Sequence, residues 1–163
     1  MTKELPAGLD PQNALIIETT PGTIVMKLHS DIAPGHAERL KLLAREQFYD
    51  DVPFHRVIDG FMAQTGDGEF GNGTGGSSYP DLPAEFSDRP FVRGTVGMAR
   101  TSNPHSANSQ FFIMFDDGDF LNGKYTVIGE VVSGMDVVDK LKRGEPPANP
   151  DRIIRMQVAA DVK

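Results

Sequence analysis

The sequence predicts a mainly β domain, a barrel or sandwich of antiparallel strands with helices at its ends. Apolar and polar residues alternate in several short segments, which is typical of strands. Only two segments have helical spacing, and this argues against the repeated βαβ units of a parallel sheet. The chain also contains 17 glycines and 12 prolines, which predict many turns between short strands.

The first predicted element is a β-hairpin. The alternation of Leu15, Ile17 and Thr19 with their neighbours predicts one strand, and residues 24–28 repeat the pattern. Between them, Pro21-Gly22 is a turn dipeptide. Residues 1–13 are polar and interrupted by prolines and a glycine. They therefore predict a flexible N-terminal arm, followed by one domain at 14–163.

Two helices are predicted from the spacing of apolar residues. One covers Ala33–Glu46, and either Ser30 or Asp31 can act as its N-cap. The second covers Met135–Arg143 and ends before a glycine and two prolines. Both helices are expected at the ends of the β structure, since the rest of the chain has strand and turn patterns.

The remaining strands bring the expected total to about seven or eight. One of them contains Phe111 and Phe112 side by side, so their side chains point to opposite faces of the sheet. One of the two rings must therefore lie outside the barrel interior, where it can face a ligand. These strands are predicted at Phe54–Ile58, Met62–Thr65, Thr95–Ala99, Gln110–Phe115, Thr126–Val132 and 154–160.

Composition excludes several classes of function. With 16 basic and 23 acidic residues, the chain has a net charge of −7 and lacks the basic patch that nucleic-acid binding requires. It contains no cysteine, which excludes disulfides, thiolate nucleophiles and cysteine-based zinc sites. The longest apolar run, Phe111–Phe115, is far shorter than the roughly 20 residues that span a bilayer. Together with an N-terminus that has no apolar signal core, this predicts a cytoplasmic protein without membrane contact.

A glycine-rich stretch raises the alternative of a nucleotide-binding loop. Residues 66–71 satisfy the pattern G-x-G-x-x-G, but further glycines follow where the fingerprint requires a helix. Two acidic residues within the stretch would also repel a pyrophosphate. The better interpretations are a surface loop with positive φ angles or a backbone that approaches an extended ligand. The four histidines lack metal-ligand spacing, so no metal and no cofactor are expected.

Several separate motifs follow one another along the chain. They are Phe54-His55-Arg56, Gly60-Phe61-Met62 with Gln64, Gly73-Thr74-Gly75-Gly76, residues 109–113, residues 120–124, Val127-Ile128-Gly129 and Gly134-Met135. Because these motifs must coincide in order, their combination is far more specific than any one of them. The ordered set resembles the cyclophilin-type peptidyl-prolyl cis-trans isomerases, and bacterial members most of all. The resemblance extends from about Ala14 to Val162.

This resemblance implies a closed eight-stranded antiparallel β-barrel that is capped by two helices and has a shallow outer groove for Xaa-Pro peptides. It also implies activity without a metal or cofactor, and partners that are proline-containing peptides and unfolded or folding proteins. A monomer is expected, because the domain is small and has no evident dimer seam. Arg56 is the implied catalytic residue. The implied substrate-binding residues are Phe61, Met62, Gln64, Gly73, Ala99, Arg100, Gln110, Phe112, Phe120, Leu121 and Tyr125.

The implied reaction suits these residue types. Rotation about an Xaa-Pro bond crosses a barrier of roughly 18–20 kcal/mol without making or breaking a bond, so no nucleophile is needed. In the twisted state the prolyl nitrogen regains a lone pair, to which the guanidinium of Arg56 can donate a hydrogen bond. A non-catalytic module that binds or chaperones proline-containing chains is the alternative function. Such a module needs apolar side chains that hold the proline ring, but it does not need Arg56.

The sequence departs from many relatives at three positions of the implied groove. Phe120 stands where tryptophan is common, Tyr125 stands where histidine is common, and Arg100 replaces a frequent asparagine. Arg100 adds positive charge beside the groove, which suggests a preference for substrates with acidic residues next to the proline.

The absence of tryptophan predicts weak binding of cyclosporin, the cyclic peptide inhibitor typical of this family. The phenyl ring of Phe120 still encloses an apolar group, but it lacks the indole N–H donor. We expect a dissociation constant in the micromolar range or weaker when cyclosporin is titrated into the protein in a calorimeter. A submicromolar value would contradict the prediction.

Overall fold

The computed structural model describes residues 5–162. Nine strands lie within this range, and all of their pairings are antiparallel. The strands are β1 (Ala14–Thr19), β2 (Gly22–Leu28), β3 (Val52–Pro53), β4 (Arg56–Ile58), β5 (Met62–Thr65), β6 (Thr95–Met98), β7 (Phe111–Met114), β8 (Val127–Ser133) and β9 (Arg152–Val158). The mainly β class predicted from the sequence is therefore confirmed.

The helices of the described range are two α-helices and three short 3-10 helices. The α-helices are α1 (Pro34–Arg45) and α2 (Met135–Val138), and the 3-10 helices are Pro11–Asn13, Asp119–Leu121 and Ala159–Asp161. Helix α2 is shorter than predicted because the backbone tightens after Val138. Lys140 N–H and Leu141 N–H bond carbonyls three residues back, and this spacing ends the α-helix.

The sheet has the strand order β3-β9-β1-β2-β8-β6-β7-β5-β4, so β3 and β4 are its edges. Only Phe54 and His55 separate these two strands along the chain, which places the edges within about 11 Å of each other. The sheet is thus a curled, nearly closed barrel. The expected closed barrel of eight strands is wrong in this detail, because the outer edge of β4 bonds elsewhere. Val57 exchanges two backbone hydrogen bonds of 2.8 Å with Gly144, so this part of β4 cannot pair with β3.

The predicted strands agree with the observed ones to within two residues, apart from β3. The hairpin of β1 and β2 turns at Thr20 and Pro21, and its register pairs Ile17 with Ile24. Strand β3 was not predicted because Pro53 lacks a backbone donor. It is tolerated there because β3 lies at an edge of the sheet.

Helix α1 has an N-terminal cap from a distant loop. Its N-cap residue, Ala33, has no capping side chain, so the expectation that Ser30 or Asp31 caps the helix is wrong. Instead, the carboxylate of Glu85 accepts hydrogen bonds from the backbone N–H groups of Gly35 (3.3 Å) and His36 (2.9 Å). A carboxylate at this end also interacts favourably with the helix dipole.

Two apolar clusters lie on opposite faces of the same strands. The larger one fills the barrel and includes Phe111 and Val96, together with Leu40 and Leu43 of α1. The smaller one lies on the outer face and consists of Met62, Phe91, Phe112, Met114, Leu121 and Val127, with Phe61, Ala99 and Tyr125 packed against it. Phe111 and Phe112 therefore belong to different clusters, as expected for neighbours on one strand.

The described part of the N-terminal arm, residues 5–13, contacts the barrel. Leu5 and Leu9 pack against Ala14 and Ile16 on the outer face of β1. The Lys41 ammonium also donates to a carbonyl of this segment, that of Gln12, at 3.3 Å. Residues 1–4 of the arm lie outside the described residues, and its flexibility stays a prediction.

We predict that Glu85→Ala lowers the free energy of unfolding by about 1–2 kcal/mol, because two backbone N–H groups at the start of α1 and the buried His36 ring lose their partner. Urea unfolding measures this change. Glu38→Ala is the control, since Glu38 lies on the exposed side of the same helix and pairs only with Lys41. A loss below about 0.5 kcal/mol for Glu85→Ala would mean that the cap contributes no more than an ordinary surface residue.

Candidate functional site

The candidate site is a cavity of about 310 Å³ on the outer face of the barrel. Ten of the twelve residues predicted for the groove line it, and their functional roles stay predictions. Gln110 and Phe120 lie next to it, whereas His55 and Asn72 line it without having been predicted. The lining residues are His55, Arg56, Phe61, Met62, Gln64, Asn72, Gly73, Ala99, Arg100, Phe112, Leu121 and Tyr125.

One row of residues across four strands builds the centre of this site. The register pairs Arg56 of β4 with Gln64 of β5, Gln64 with Phe112 of β7, and Phe112 with Gly97 of β6. Residues directly opposite one another in a sheet share a face. The curled sheet therefore presents a cation, an amide and an aromatic ring side by side on its outer surface.

The floor of the cavity is apolar and tightly packed. Met62 and Phe112 are 2% and 5% exposed, and the Tyr125 ring meets Phe112 edge-on at a centroid distance of 5.9 Å. On its other side, Phe112 stacks with Phe91 at 5.7 Å. Gly97 makes this stack possible, because a Cβ atom there would come within 2.7 Å of both rings. Such a floor fits a small apolar ring better than a charged group.

The guanidinium of Arg56 lies at the side of this floor and has two partners. Its Nε donates to Glu145 Oε1 at 3.2 Å, and its Nη1 donates to Gln64 Oε1 at 3.5 Å. Its Nη2 has no acceptor among residues 5–162. The side chain is 45% exposed, so a ligand in the cavity can reach the unused N–H groups.

Gln64 is held in turn by Gln110. The Gln64 amide donates to Gln110 Oε1 at 2.9 Å, and the Gln110 amide donates to the carbonyls of Gly73 and Gly75, also at 2.9 Å. Both N–H groups of Gln110 are thus used within the protein. Gln110 therefore links Gln64 to the glycine-rich loop. It also lines the adjacent cavity of the groove.

The glycine-rich loop is organised around the buried carboxylate of Asp67. This carboxylate accepts hydrogen bonds of 2.9–3.1 Å from the backbone N–H groups of residues 69, 70, 72, 73 and 75. Burial opposes ionisation of Asp67, but these hydrogen bonds outweigh it and lower its pKa to about 2. The N–H groups that a phosphate would require are therefore occupied by the protein's own carboxylate.

The guanidinium of Arg100 is held beside the groove by backbone carbonyls. Its Nε and Nη2 donate to the Lys124 carbonyl at 3.1 and 2.7 Å, and its Nη1 donates to the Thr101 carbonyl at 2.8 Å. The guanidinium also lies 4.3 Å from the centroid of the Tyr125 ring. These contacts orient Tyr125 against the floor of the cavity.

The remaining predicted residues form the rim. Phe120 is 62% exposed, and its ring lies 5.5 Å from that of Phe61. This pair extends the apolar surface beyond the cavity. Ala99 and Gly73 lie where the cavity meets a second, more polar one of about 510 Å³, which also contains Gln64 and Arg100.

His55 lines the site although it was not among the residues predicted for the groove. It lines the cavity but is 6% exposed, and its Nδ1 has no hydrogen-bond partner among the described residues. Burial lowers its pKa, against the opposing charge of Asp67, so the ring is neutral at pH 7. Its place between Phe54 and Arg56 in the motif was the only sequence signal for this position.

The described residues carry no group of three or more histidine, aspartate or glutamate side chains arranged to hold a metal ion. Nor does any helix among them have the length and apolar composition that crossing a bilayer would require. The predicted monomeric state and cytoplasmic location stay predictions.

The fold and the site together define a class of protein: a curled antiparallel barrel with an arginine beside an apolar groove on its outer surface. The family model described as cyclophilin type peptidyl-prolyl cis-trans isomerase/CLD matches residues 14–158. The chain therefore belongs to this family, and the resemblance seen in the motifs is confirmed.

Individual relatives agree with this assignment. A probable peptidyl-prolyl cis-trans isomerase of Brucella suis is 59% identical over 96% of this chain and 88% of its own length. Peptidyl-prolyl cis-trans isomerase B of Escherichia coli is 44% identical, with coverages of 76% and 80%.

Solved structures show the same architecture. The cyclophilin AquaCyp293 of Hirschia baltica has a TM-score of 0.88 and 30% identity, and the match covers 95% of this chain and 77% of that one. A Cryptosporidium parvum cyclophilin, solved in the presence of the dipeptide Ala-Pro, has a TM-score of 0.82 and 25% identity, with coverages of 89% and 98%.

We predict that Asp67→Asn destabilises the protein by about 2 kcal/mol at pH 7, since one pKa unit corresponds to about 1.4 kcal/mol. The pKa of Asp67 is lower in the folded state than in the unfolded chain. Its contribution is therefore complete above about pH 4 and is lost as the pH falls towards 2. Urea unfolding at several pH values should show the wild type and Asp67→Asn converging over this interval.

The control for this measurement is Asp117→Asn, which removes an exposed carboxylate from a loop. It should leave both stability and pH dependence unchanged. A constant difference between wild type and Asp67→Asn from pH 7 to pH 2 would show that the charge of Asp67 does not stabilise the loop.

Proposed function

We propose that this protein catalyses cis-trans isomerisation of Xaa-Pro peptide bonds, with Arg56 as the catalytic residue. The observation that carries the proposal is the position of the Arg56 guanidinium, which has unused donors beside an apolar cavity. The family assignment and the names of the relatives support it. The reaction requires no cofactor, because only a torsion angle changes.

The cavity suits a proline side chain in size and chemistry. The pyrrolidine ring is small and apolar, and the floor offers it Met62, Phe112 and Leu121. Burial of the ring against these side chains fixes one end of the peptide bond. The preceding carbonyl can then rotate while the ring stays in place.

Arg56 supplies the interaction that is stronger in the twisted state than in the planar one. A planar amide nitrogen has no available lone pair, whereas a twisted one accepts a hydrogen bond from a guanidinium. Only such differential binding lowers the barrier. About 4 kcal/mol of preference for the twisted state would accelerate the reaction a thousandfold.

The groove continues beyond the proline cavity in both directions. The polar cavity of about 510 Å³ can hold residues on one side of the proline, and Phe61 with Phe120 offers an apolar rim on the other. We propose proline-containing segments of peptides and of unfolded or folding proteins as partners. The C. parvum cyclophilin crystallised in the presence of Ala-Pro supports this class of ligand.

We predict that Arg56→Ala abolishes most of the acceleration of Xaa-Pro exchange, at least a hundredfold, because the transition-state hydrogen bond is lost. Exchange NMR of a short Xaa-Pro peptide measures the rate, and chemical-shift titration measures binding. The matched control is Arg45→Ala: Arg45 is 44% exposed and also donates from Nε to a carboxylate, that of Asp161, far from the groove.

The wild-type rate should change little between about pH 6 and 9, since the guanidinium group of an arginine does not lose its proton in this range. A steep pH profile, or an Arg56→Ala variant as fast as the wild type, would exclude the mechanism. Peptide binding without acceleration by the wild type would favour a binding or chaperone module instead.

A further inference from the structure

We propose that Glu145 is a positioning residue that presents the guanidinium of Arg56 to the substrate. This inference rests on the proposed function and extends it to a residue in a loop that has no part in the sequence motifs. The Glu145 Oε1 atom accepts a hydrogen bond from Arg56 Nε at 3.2 Å.

Backbone geometry places Glu145 directly opposite Arg56. Val57 and Gly144 form an isolated antiparallel bridge with two hydrogen bonds of 2.8 Å. In antiparallel pairing, the residue after Gly144 faces the residue before Val57. Glu145 therefore extends the row formed by Arg56, Gln64 and Phe112 by one position beyond the edge of the sheet.

The loop that carries Glu145 is fixed before the bridge and at the bridge itself. Before it, Arg143 Nε donates to Asp59 at 3.0 Å, and its guanidinium lies 4.2 Å from the centroid of the Phe115 ring. At the bridge itself, Gly144 has a φ of +144°, and a Cβ atom there would come within 2.5 Å of the backbone of Pro147. Only glycine fits this position, so the approach of Glu145 to Arg56 is built into the backbone.

The two partners of Arg56 leave a defined part of the guanidinium for the substrate. Glu145 accepts from Nε and Gln64 accepts from Nη1. The N–H groups that remain are the second one on Nη1 and both on Nη2, and Nη2 has no acceptor in residues 5–162. An arginine side chain has several rotatable bonds, so a fixed partner reduces the entropy lost when the guanidinium meets the prolyl nitrogen.

The exposure of the pair separates this role from a structural one. The side chains of Arg56 and Glu145 are 45% and 57% exposed. Ion pairs this exposed contribute little to folding stability. Removal of the carboxylate should therefore leave the fold intact and act on the orientation of Arg56.

Glu145→Ala and Glu145→Gln test the proposal. Both are measured with a short Xaa-Pro peptide, by exchange NMR at saturating peptide and by titration for the dissociation constant. We expect Glu145→Ala to lower the saturated exchange rate about tenfold and Glu145→Gln about threefold, since the amide oxygen still accepts from Nε. The peptide dissociation constant should change less than twofold.

Asp161→Asn is the matched control, because it removes the carboxylate partner of Arg45 Nε at similar exposure and away from the groove. Its exchange rate should equal that of the wild type. A further readout is the Nε–H resonance of Arg56, which should shift in both Glu145 variants and stay in place in Asp161→Asn.

A Glu145→Ala variant with the wild-type saturated rate would overturn the proposal, and so would a peptide dissociation constant that weakens in proportion to the rate. Should Glu145→Ala be unfolded, the same criteria apply to Glu145→Gln. Failure of the proposed function gives a different result. In that case the wild type does not accelerate exchange of the peptide, or Arg56→Ala accelerates it as much as the wild type does.

Discussion

The buried carboxylate of Asp67 is the interaction on which the candidate site most depends. It gathers five backbone N–H groups of the glycine-rich loop and so determines where that loop presents its carbonyls. Two of these carbonyls hold the amide of Gln110, which holds Gln64, which in turn contacts Arg56. A full negative charge under the loop thus orders a chain of polar contacts that ends at the guanidinium of Arg56. Neutral acceptors would bind the same N–H groups less strongly.

Incomplete closure of the barrel and organisation of the site have the same cause. The edge strand β4 bonds to Gly144 rather than to β3, which leaves the sheet open at this point. The same two hydrogen bonds bring the carboxylate of Glu145 beside Arg56. On the other side of Arg56, strand pairing places Gln64 and then Phe112 on the outer face. The site is therefore a row of side chains across an open edge of the sheet.

Much of this site could be predicted from the chain, because the ordered motifs contain most of its residues. Gly73 and Phe112 lie far apart in sequence, yet both line the cavity, as the resemblance implied. The partners that these side chains contact could not be predicted in the same way. The guanidinium of Arg100, for example, donates to the Lys124 carbonyl and lies over the Tyr125 ring, and the preference for acidic substrates that its charge suggests stays a prediction. A side chain's partners depend on loops whose course no local pattern specifies.

Four features could be predicted from the order of residues alone: the mainly β class, the hairpin of β1 and β2, helix α1 and the opposite facing of Phe111 and Phe112. All of these follow from periodicity, which acts between residues near in the chain. Two other contacts could not be predicted in this way: Glu85 caps α1 from 49 residues away, and Glu145 lies against Arg56, which is 89 residues distant in the chain. Such pairs depend on how the sheet curls and on which backbone groups its edges bond. These are global outcomes of packing that leave no local trace in the sequence.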